Sequence, residues 1–192
     1  MITNLYLVRH AHSTYTPDEL GRPLSKRGFS DAKIVTELLL NEKIDYVISS
    51  PYKRAIQTVE EFAKSLNIEI MLEENFKERL LSQEPVVNFE DAIREVWKDF
   101  NRSWNGGESN YTAQKRGIEA INKLLKTYSG KNIAIGTHGN MMVLIMNFFD
   151  EKYDFNFWNE LAMPDIYKLT FEDATLIEVN RIWRNEIVHS RR

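Results

Sequence analysis

Short apolar runs alternate with longer stretches whose apolar residues recur every three or four positions, the pattern of strands and helices taking turns along a chain. Residues 2–8 read as a buried strand. Residues 25–41 read as a helix with Ala32, Val35 and Leu38/Leu39 on its core face and Ser25 as its cap. A second strand is predicted at 45–49, followed by a helix to about residue 66 that Ser50 caps and Pro51 opens. Residues 68–72 and 131–137 read as further strands, the latter entered through Gly130 after a helix whose apolar face is Ile118, Ile121, Leu124/Leu125 and Tyr128. Residues 140–149 read as a helix, and 166–171 with 176–182 as a hairpin turning at Glu172-Asp173-Ala174. This alternation predicts an α/β fold, a three-layer α/β/α sandwich whose mostly parallel central sheet the hairpin makes mixed.

Residues 73–107 break the alternation. Within them Phe89, Ala92/Ile93, Val96/Trp97, Phe100 and Trp104 keep a helical period behind a capping Asn88. An insertion at that point of an α/β chain is expected to act as a cap over the active-site edge and so to bear on specificity. The whole chain, 1–192, is expected to be one domain, since 192 residues with 43% hydrophobic content suffice for one substantial core.

Composition narrows the chemistry. The chain has no cysteine, which excludes disulfides, thiolate metal sites and a cysteine nucleophile. A net charge of −3 argues against a general surface for nucleic acid, while leaving room for a local basic pocket. The Arg191-Arg192 end reads as a solvated tail, and the Trp residues read as core or cap packing rather than as a platform for bases. With no apolar run of membrane-spanning length and no secretory signature at Met1-Ile2-Thr3-Asn4, the expectation is a soluble cytoplasmic protein without a membrane partner. Oligomeric state is not readable from the sequence.

The candidate chemistry lies at two histidines, each just after an apolar strand: His10 in Leu7-Val8-Arg9-His10-Ala11-His12-Ser13 and His138 in Thr137-His138-Gly139-Asn140. Adjacent strands would bring both imidazoles to one sheet edge, where open α/β sheets carry their sites. A neutral imidazole can attack phosphorus if cations offset the phosphoryl charge. Arg9 is adjacent, and Arg54 falls in the first turn of a helix, where free N–H groups also favour an anion. Gly139 would let the backbone come close to a bound oxygen. A His10-Ala11-His12 metal pair is set aside, because no further ligand motif accompanies it.

Taken in order, these two blocks together with Ser49-Ser50-Pro51-Tyr52-Lys53-Arg54-Ala55-Ile56-Gln57-Thr58 and Lys77-Glu78-Arg79 resemble the histidine phosphatase superfamily, also called phosphoglycerate mutase-like. The resemblance implies that His10 is the phosphorylated nucleophile, Arg9 and Arg54 bind the phosphate, and His138 is the second catalytic histidine. It also implies that Glu78 is the proton donor, a role for which burial is expected to hold the carboxyl protonated. No metal or other cofactor is implied. Gly106-Gly107-Glu108-Ser109 resembles a further block of the family, read here mainly as a flexible entry to a helix capped by Ser109.

Three departures accompany the resemblance. The family's usual glycine after the nucleophile is Ala11, its next residue is His12, and Thr16 stands where the glycolytic mutases have asparagine at the phosphate. The implied activity is a metal-independent phosphomonoesterase acting through phosphohistidine on a small phosphorylated metabolite. A cofactor-dependent phosphoglycerate mutase and a non-catalytic phospho-ligand or protein-binding module are the alternatives. The chain lacks the longer insertion and C-terminal extension of the glycolytic mutases, which favours hydrolysis.

Overall fold

The computed structural model of the protein describes residues 1–184, so the Arg191-Arg192 end lies outside the described residues. Strand β1 (Ile2–Arg9) leads through a loop into helix α1 (Lys26–Leu39), whose Ser25 cap accepts from the Gly28 N–H as expected. Strand β2 (Tyr46–Ser49), helix α2 (Lys53–Ser65) and the three-residue strand β3 (Ile70–Leu72) follow. A single 3-10 turn, Glu74–Phe76, opens the irregular segment, within which helix α3 spans Phe89–Lys98. Helix α4 (Asn110–Thr127), strand β4 (Asn132–Thr137), helix α5 (Gly139–Phe149) and a short helix α6 (Phe155–Glu160) lead to the hairpin of β5 (Asp165–Glu172) and β6 (Thr175–Arg181).

The six strands lie in the order β3-β2-β4-β1-β5-β6; the first four are mutually parallel, β5 runs antiparallel to β1, and β6 antiparallel to β5. Strand alternation sorts the core onto the two faces. Leu5, Leu7, Ile133 and Ile135 are buried with Ile121, Leu124, Met141 and Ile145 of α4 and α5. Tyr6, Val8, Val47 and Ala134 are buried instead with Val35, Leu39, Val59 and Phe62 of α1 and α2. The expected three-layer α/β/α arrangement with a mixed sheet is therefore observed.

Register is what builds the site. Strands β1 and β4 are neighbours with Arg9 opposite Thr137, so the residues that follow, His10 and His138, leave the sheet side by side. The His10 N–H donates to the Thr137 carbonyl at 3.0 Å, and the Ser50 N–H to the Gly136 carbonyl at 2.8 Å, which draws the end of β2 to the same edge.

Two local expectations are corrected. Helix α2 begins at Lys53 behind Tyr52, with no side-chain cap, and Pro51 precedes the first helical position; the Ser50 hydroxyl has another partner, described below. Helix α3 ends at Lys98, short of the helical period that runs on to Trp104. Asp99 turns the chain by accepting from the Asn101 and Arg102 N–H groups, and Trp104 folds back so that its indole N–H reaches the Ala92 carbonyl at 3.4 Å.

Candidate active site

His10 is 8% exposed at the carboxyl end of β1. Its Nδ1 lies 2.8 Å from the Ala11 carbonyl, a group that only accepts, so Nδ1 carries the proton. Nε2 then presents a lone pair, which accepts from Arg54 Nε at 3.2 Å. Burial, reinforced by Arg54, Arg9 and Arg22, pushes the imidazole down to about 3, so at neutral pH it is an uncharged base and nucleophile. The loop behind it is tied by Thr58, whose hydroxyl accepts from the Ala11 N–H at 3.0 Å and donates to the Arg54 carbonyl at 2.7 Å. Among the described non-glycine residues only Lys43, Asn67 and Asp173 have positive φ, so Ala11 replaces the family's glycine without backbone strain.

Arg54, in the first turn of α2, is buried beneath the loop that carries Glu19; it donates to the Glu19 carbonyl at 2.9 Å and pairs with its carboxylate at 3.2 Å. Arg9 Nη1 is anchored by the Leu161 and Ala162 carbonyls at 3.1 and 3.0 Å, leaving Nε buried with no partner among the described residues. That carbonyl pair is itself held by Asp165, which accepts from the Ala162 N–H and takes a bidentate pair from Arg181 at 2.9 Å. Gly139 lies against Arg9: a Cβ there would stand 3.0 Å from Arg9 Nε, so any larger residue would push on the guanidinium at the start of α5.

His138 is fully buried at the N-terminus of α5, with its ring centroid 5.2 Å from that of His10. Burial and the neighbouring charges hold its imidazole well below the ordinary histidine range. Its Nε2 lies 2.8 Å from Ser50 Oγ, and its Nδ1 is buried with no partner among the described residues. The Ser50 hydroxyl can donate to His138 Nε2 while its oxygen accepts from the Tyr52 N–H at 3.3 Å, and in that tautomer Nδ1–H is a free donor.

Glu78 lies across the opening of α5 rather than in an apolar enclosure. It is half-buried, and its carboxylate accepts from the Asn140, Met141 and Arg79 N–H groups at 3.2, 3.1 and 2.9 Å. The segment bearing it is clamped by Arg116, which donates to the carbonyls of Asn75, Lys77 and Glu78 while pairing bidentately with Glu108. The Gly106-Gly107-Glu108-Ser109 block thus works structurally: Ser109 caps α4 through the Thr112 N–H, and a Cβ on Gly107 would meet the Leu81 carbonyl at 2.1 Å.

A cavity of about 610 Å3 reaches down to Arg54, Glu78 and Asn140 and is walled on its outer side by Leu80, Leu81, Val86, Phe89 and Ile93 of the 73–107 segment. Arg9, His10, Arg54, Glu78, His138 and Gly139 are therefore brought together. The Thr16 hydroxyl donates to the Asp18 carbonyl at 3.0 Å and its carbonyl accepts from Arg22, while Tyr15 and Pro17 on either side line the cavity. His12 is exposed, with Nδ1 2.8 Å from Ser25 Oγ, a setting unlike that of buried His10. Sequence reasoning missed Ser50 as a partner of His138, and Arg22, Arg79 and Asn140 as cavity residues. For Arg79 a signal existed, since it lies inside a motif block.

The histidine phosphatase superfamily (branch 1) family model matches residues 5–181. The chain is 29% identical over 152 residues to phosphoserine phosphatase 1 of Hydrogenobacter thermophilus, covering 71% of each chain. It is 27% identical over 154 residues to phosphoglycerate mutase-like protein 4 of Arabidopsis thaliana, covering 72% of this chain and 67% of that one. The mycobacterial glucosyl-3-phosphoglycerate phosphatase superposes with a TM-score of 0.76 at 16% identity, covering 94% of this chain and 97% of that one, a likeness of fold. With its four motif blocks gathered at one sheet edge and the family model spanning nearly all the described residues, the chain belongs to the histidine phosphatase superfamily.

Proposed function

We propose that the protein is a phosphomonoesterase that works through a phosphohistidine, acting on a small phosphorylated metabolite in the cytoplasm. One observation carries the reading: a buried, neutral His10 whose Nε2 lone pair faces the cation-rich pocket beside Arg54. Nε2 attacks phosphorus in line, and the P–O ester bond breaks with its electron pair going to the departing oxygen. The Glu78 carboxyl gives that oxygen its proton. The guanidinium groups of Arg9 and Arg54 and the His138 Nδ1–H hold the equatorial oxygens as negative charge gathers on them. Glu78, now a carboxylate, takes a proton from water, whose oxygen attacks phosphorus. The P–N bond then breaks back to Nε2, and phosphate leaves. These charges and donors offset the phosphoryl charge without requiring a metal ion.

Relatives named as phosphatases support hydrolysis over transfer. The test is phosphate release in the presence of a chelator, by wild type and by His10→Ala, from para-nitrophenyl phosphate, 3-phosphoglycerate, sugar phosphates and nucleotides. Chelator-resistant turnover lost in the variant is the expected result. Conversion of 3-phosphoglycerate to 2-phosphoglycerate without net phosphate release would overturn it in favour of a mutase, and tight phosphate binding with no turnover in favour of a binding module.

A further inference from the structure

Glu19 has no work in that mechanism, yet its carboxylate stands among the cations of the pocket. One oxygen pairs with Arg54 Nη2 at 3.2 Å and the other with Arg22 Nη2, and all three residues line the cavity. The Arg54 side chain is buried, whereas that of Glu19 is half-exposed. Burial lowers the Arg54 guanidinium from its ordinary value, and of the charges that oppose this Glu19 acts most strongly, ahead of Glu78.

The placement of Arg54 does not depend on that carboxylate. Arg54 Nε is held by His10 Nε2 at 3.2 Å, and Nη1 by the backbone carbonyl of Glu19 at 2.9 Å. The loop that carries Glu19 is fixed by bonds of its own. The Thr14 N–H donates to the Pro23 carbonyl and the Lys53 N–H to the Leu20 carbonyl, each at 2.9 Å, and the Gly21 N–H to the Asp18 carboxylate at 3.0 Å. What the Glu19 side chain adds is a negative charge at the guanidinium.

A phosphoryl group on its way to His10 Nε2 meets that charge. Because His10 Nε2 lies against Arg54, a dianion at phosphorus competes with the carboxylate for the guanidinium and repels it. The half-exposed side chain has solvent to turn into. After hydrolysis the same competition runs in reverse. Arg54, Arg9 and Arg22 all act on His10, and three guanidinium groups with no opposing charge would hold the product phosphate strongly. We infer that Glu19 is a displaceable counter-ion of the phosphate site, yielding Arg54 to the substrate and reclaiming it to expel inorganic phosphate. This rests on the phosphatase reading and adds the step that follows hydrolysis.

The test compares wild type, Glu19→Gln and Glu19→Asp in three measurements: calorimetric binding of inorganic phosphate, its inhibition of para-nitrophenyl phosphate turnover, and kcat and KM. In Glu19→Gln phosphate is expected to bind about tenfold more tightly, the order contributed by one partner of a charged group. KM is expected to fall in step while kcat does not rise, because ground state and transition state gain alike. Glu19→Asp, which keeps the charge on a shorter stem, is expected to fall between the other two. In wild-type crystals soaked in phosphate, the Glu19 carboxylate is expected to have left Arg54 Nη2. Circular dichroism establishes that the variants fold, and the soaked crystals decide alone if they do not. Unchanged or weaker phosphate binding in folded Glu19→Gln, or a carboxylate still on Nη2 beside bound phosphate, would overturn the counter-ion while para-nitrophenyl phosphate turnover leaves the phosphatase reading standing. Tighter phosphate binding in Glu19→Gln with no turnover by wild type would overturn the phosphatase reading and leave the counter-ion standing. A wild type that binds no phosphate would overturn both.

Discussion

Arg54 Nε donates to His10 Nε2 across 3.2 Å, so the lone pair of the proposed nucleophile is held by one of the cations proposed to grip the phosphoryl group. Because a guanidinium can only donate, this contact and the Ala11 carbonyl at Nδ1 together specify one neutral tautomer. Protonation at Nε2 would require breaking the Arg54 contact and placing like charges side by side. His10 is therefore expected to remain neutral with its proton on Nδ1 at pH 5, well below the point where an ordinary histidine charges. Nitrogen-detected NMR of the ring reads this directly, and an imidazolium pattern at pH 5 would sink the assignment.

The same depressed pKa predicts a stability effect with a definite sign. The unfolded chain takes up a proton at this position near the ordinary value of about 6.5, while the folded chain does so only near 3, so acidification from pH 7 favours the unfolded state. From pH 7 to 5 the loss attributable to His10 comes to about 2 kcal/mol. Fully buried His138, whose pKa is lowered in the same direction, adds to it. Urea unfolding of wild type and His10→Ala at the two pH values isolates the His10 share: the variant is expected to lose less stability on acidification. Equal losses would mean that His10 is solvated enough to titrate normally.

Ser50 is expected to act on the proposed reaction through His138, which its hydroxyl contacts at 2.8 Å. Removing its hydroxyl leaves His138 Nε2 without its partner and frees the ring to place its proton on either nitrogen, so Nδ1–H no longer faces the phosphoryl oxygen reliably. In Ser50→Ala, kcat is expected to fall about tenfold with KM little changed, since the donor matters most as charge gathers in the transition state. Ser50→Thr, which keeps a hydroxyl on the same carbon, is expected to regain most of it. A simple packing defect would respond in the opposite way, tolerating the smaller alanine better than the larger threonine at this fully buried position.

The parts of this site legible in the sequence are those whose chemistry is local. His10 and His138 each follow a strand, and the parallel pairing of β1 with β4 turns that shared local feature into adjacency. Arg54 is readable from its first-turn position and Glu78 from its motif. Pairings between distant segments are not readable. Ser50 before Pro51 has the local signature of a helix cap, yet its hydroxyl meets a histidine 88 residues on. Thr16 stands at a binding position of the family, and its sequence does not show that its hydroxyl donates to the Asp18 carbonyl. Likewise the apolar period through Phe100 and Trp104 reports partial burial and not a continuing helix, because the chain folds back over α3 and leaves both side chains partly covered. The cap's role in walling the cavity comes from where the segment is inserted, whereas the pairing of Glu19 with Arg54 emerges only once the chain is folded.

Glu78 is separable from the phosphate-gripping groups by varying the leaving group. Its carboxylate sits on the first N–H groups of α5, directly after His138, so a substrate whose phosphorus is at His10 carries its ester oxygen toward Glu78. An alkoxide leaves poorly without a proton, whereas nitrophenolate leaves readily with none. Glu78→Gln keeps the shape and one acceptor oxygen for those N–H groups but cannot donate a carboxyl proton. Single-turnover formation of phosphohistidine is therefore expected to fall about 1000-fold with an alkyl phosphate and less than about tenfold with para-nitrophenyl phosphate. Steady-state turnover of both substrates is expected to fall as well, because the carboxylate also activates water in the second step. Rapid-quench measurement of the phosphoenzyme separates the two steps. Equal slowing of its formation from both substrates would remove Glu78 from the role of acid and leave it as a cap on α5.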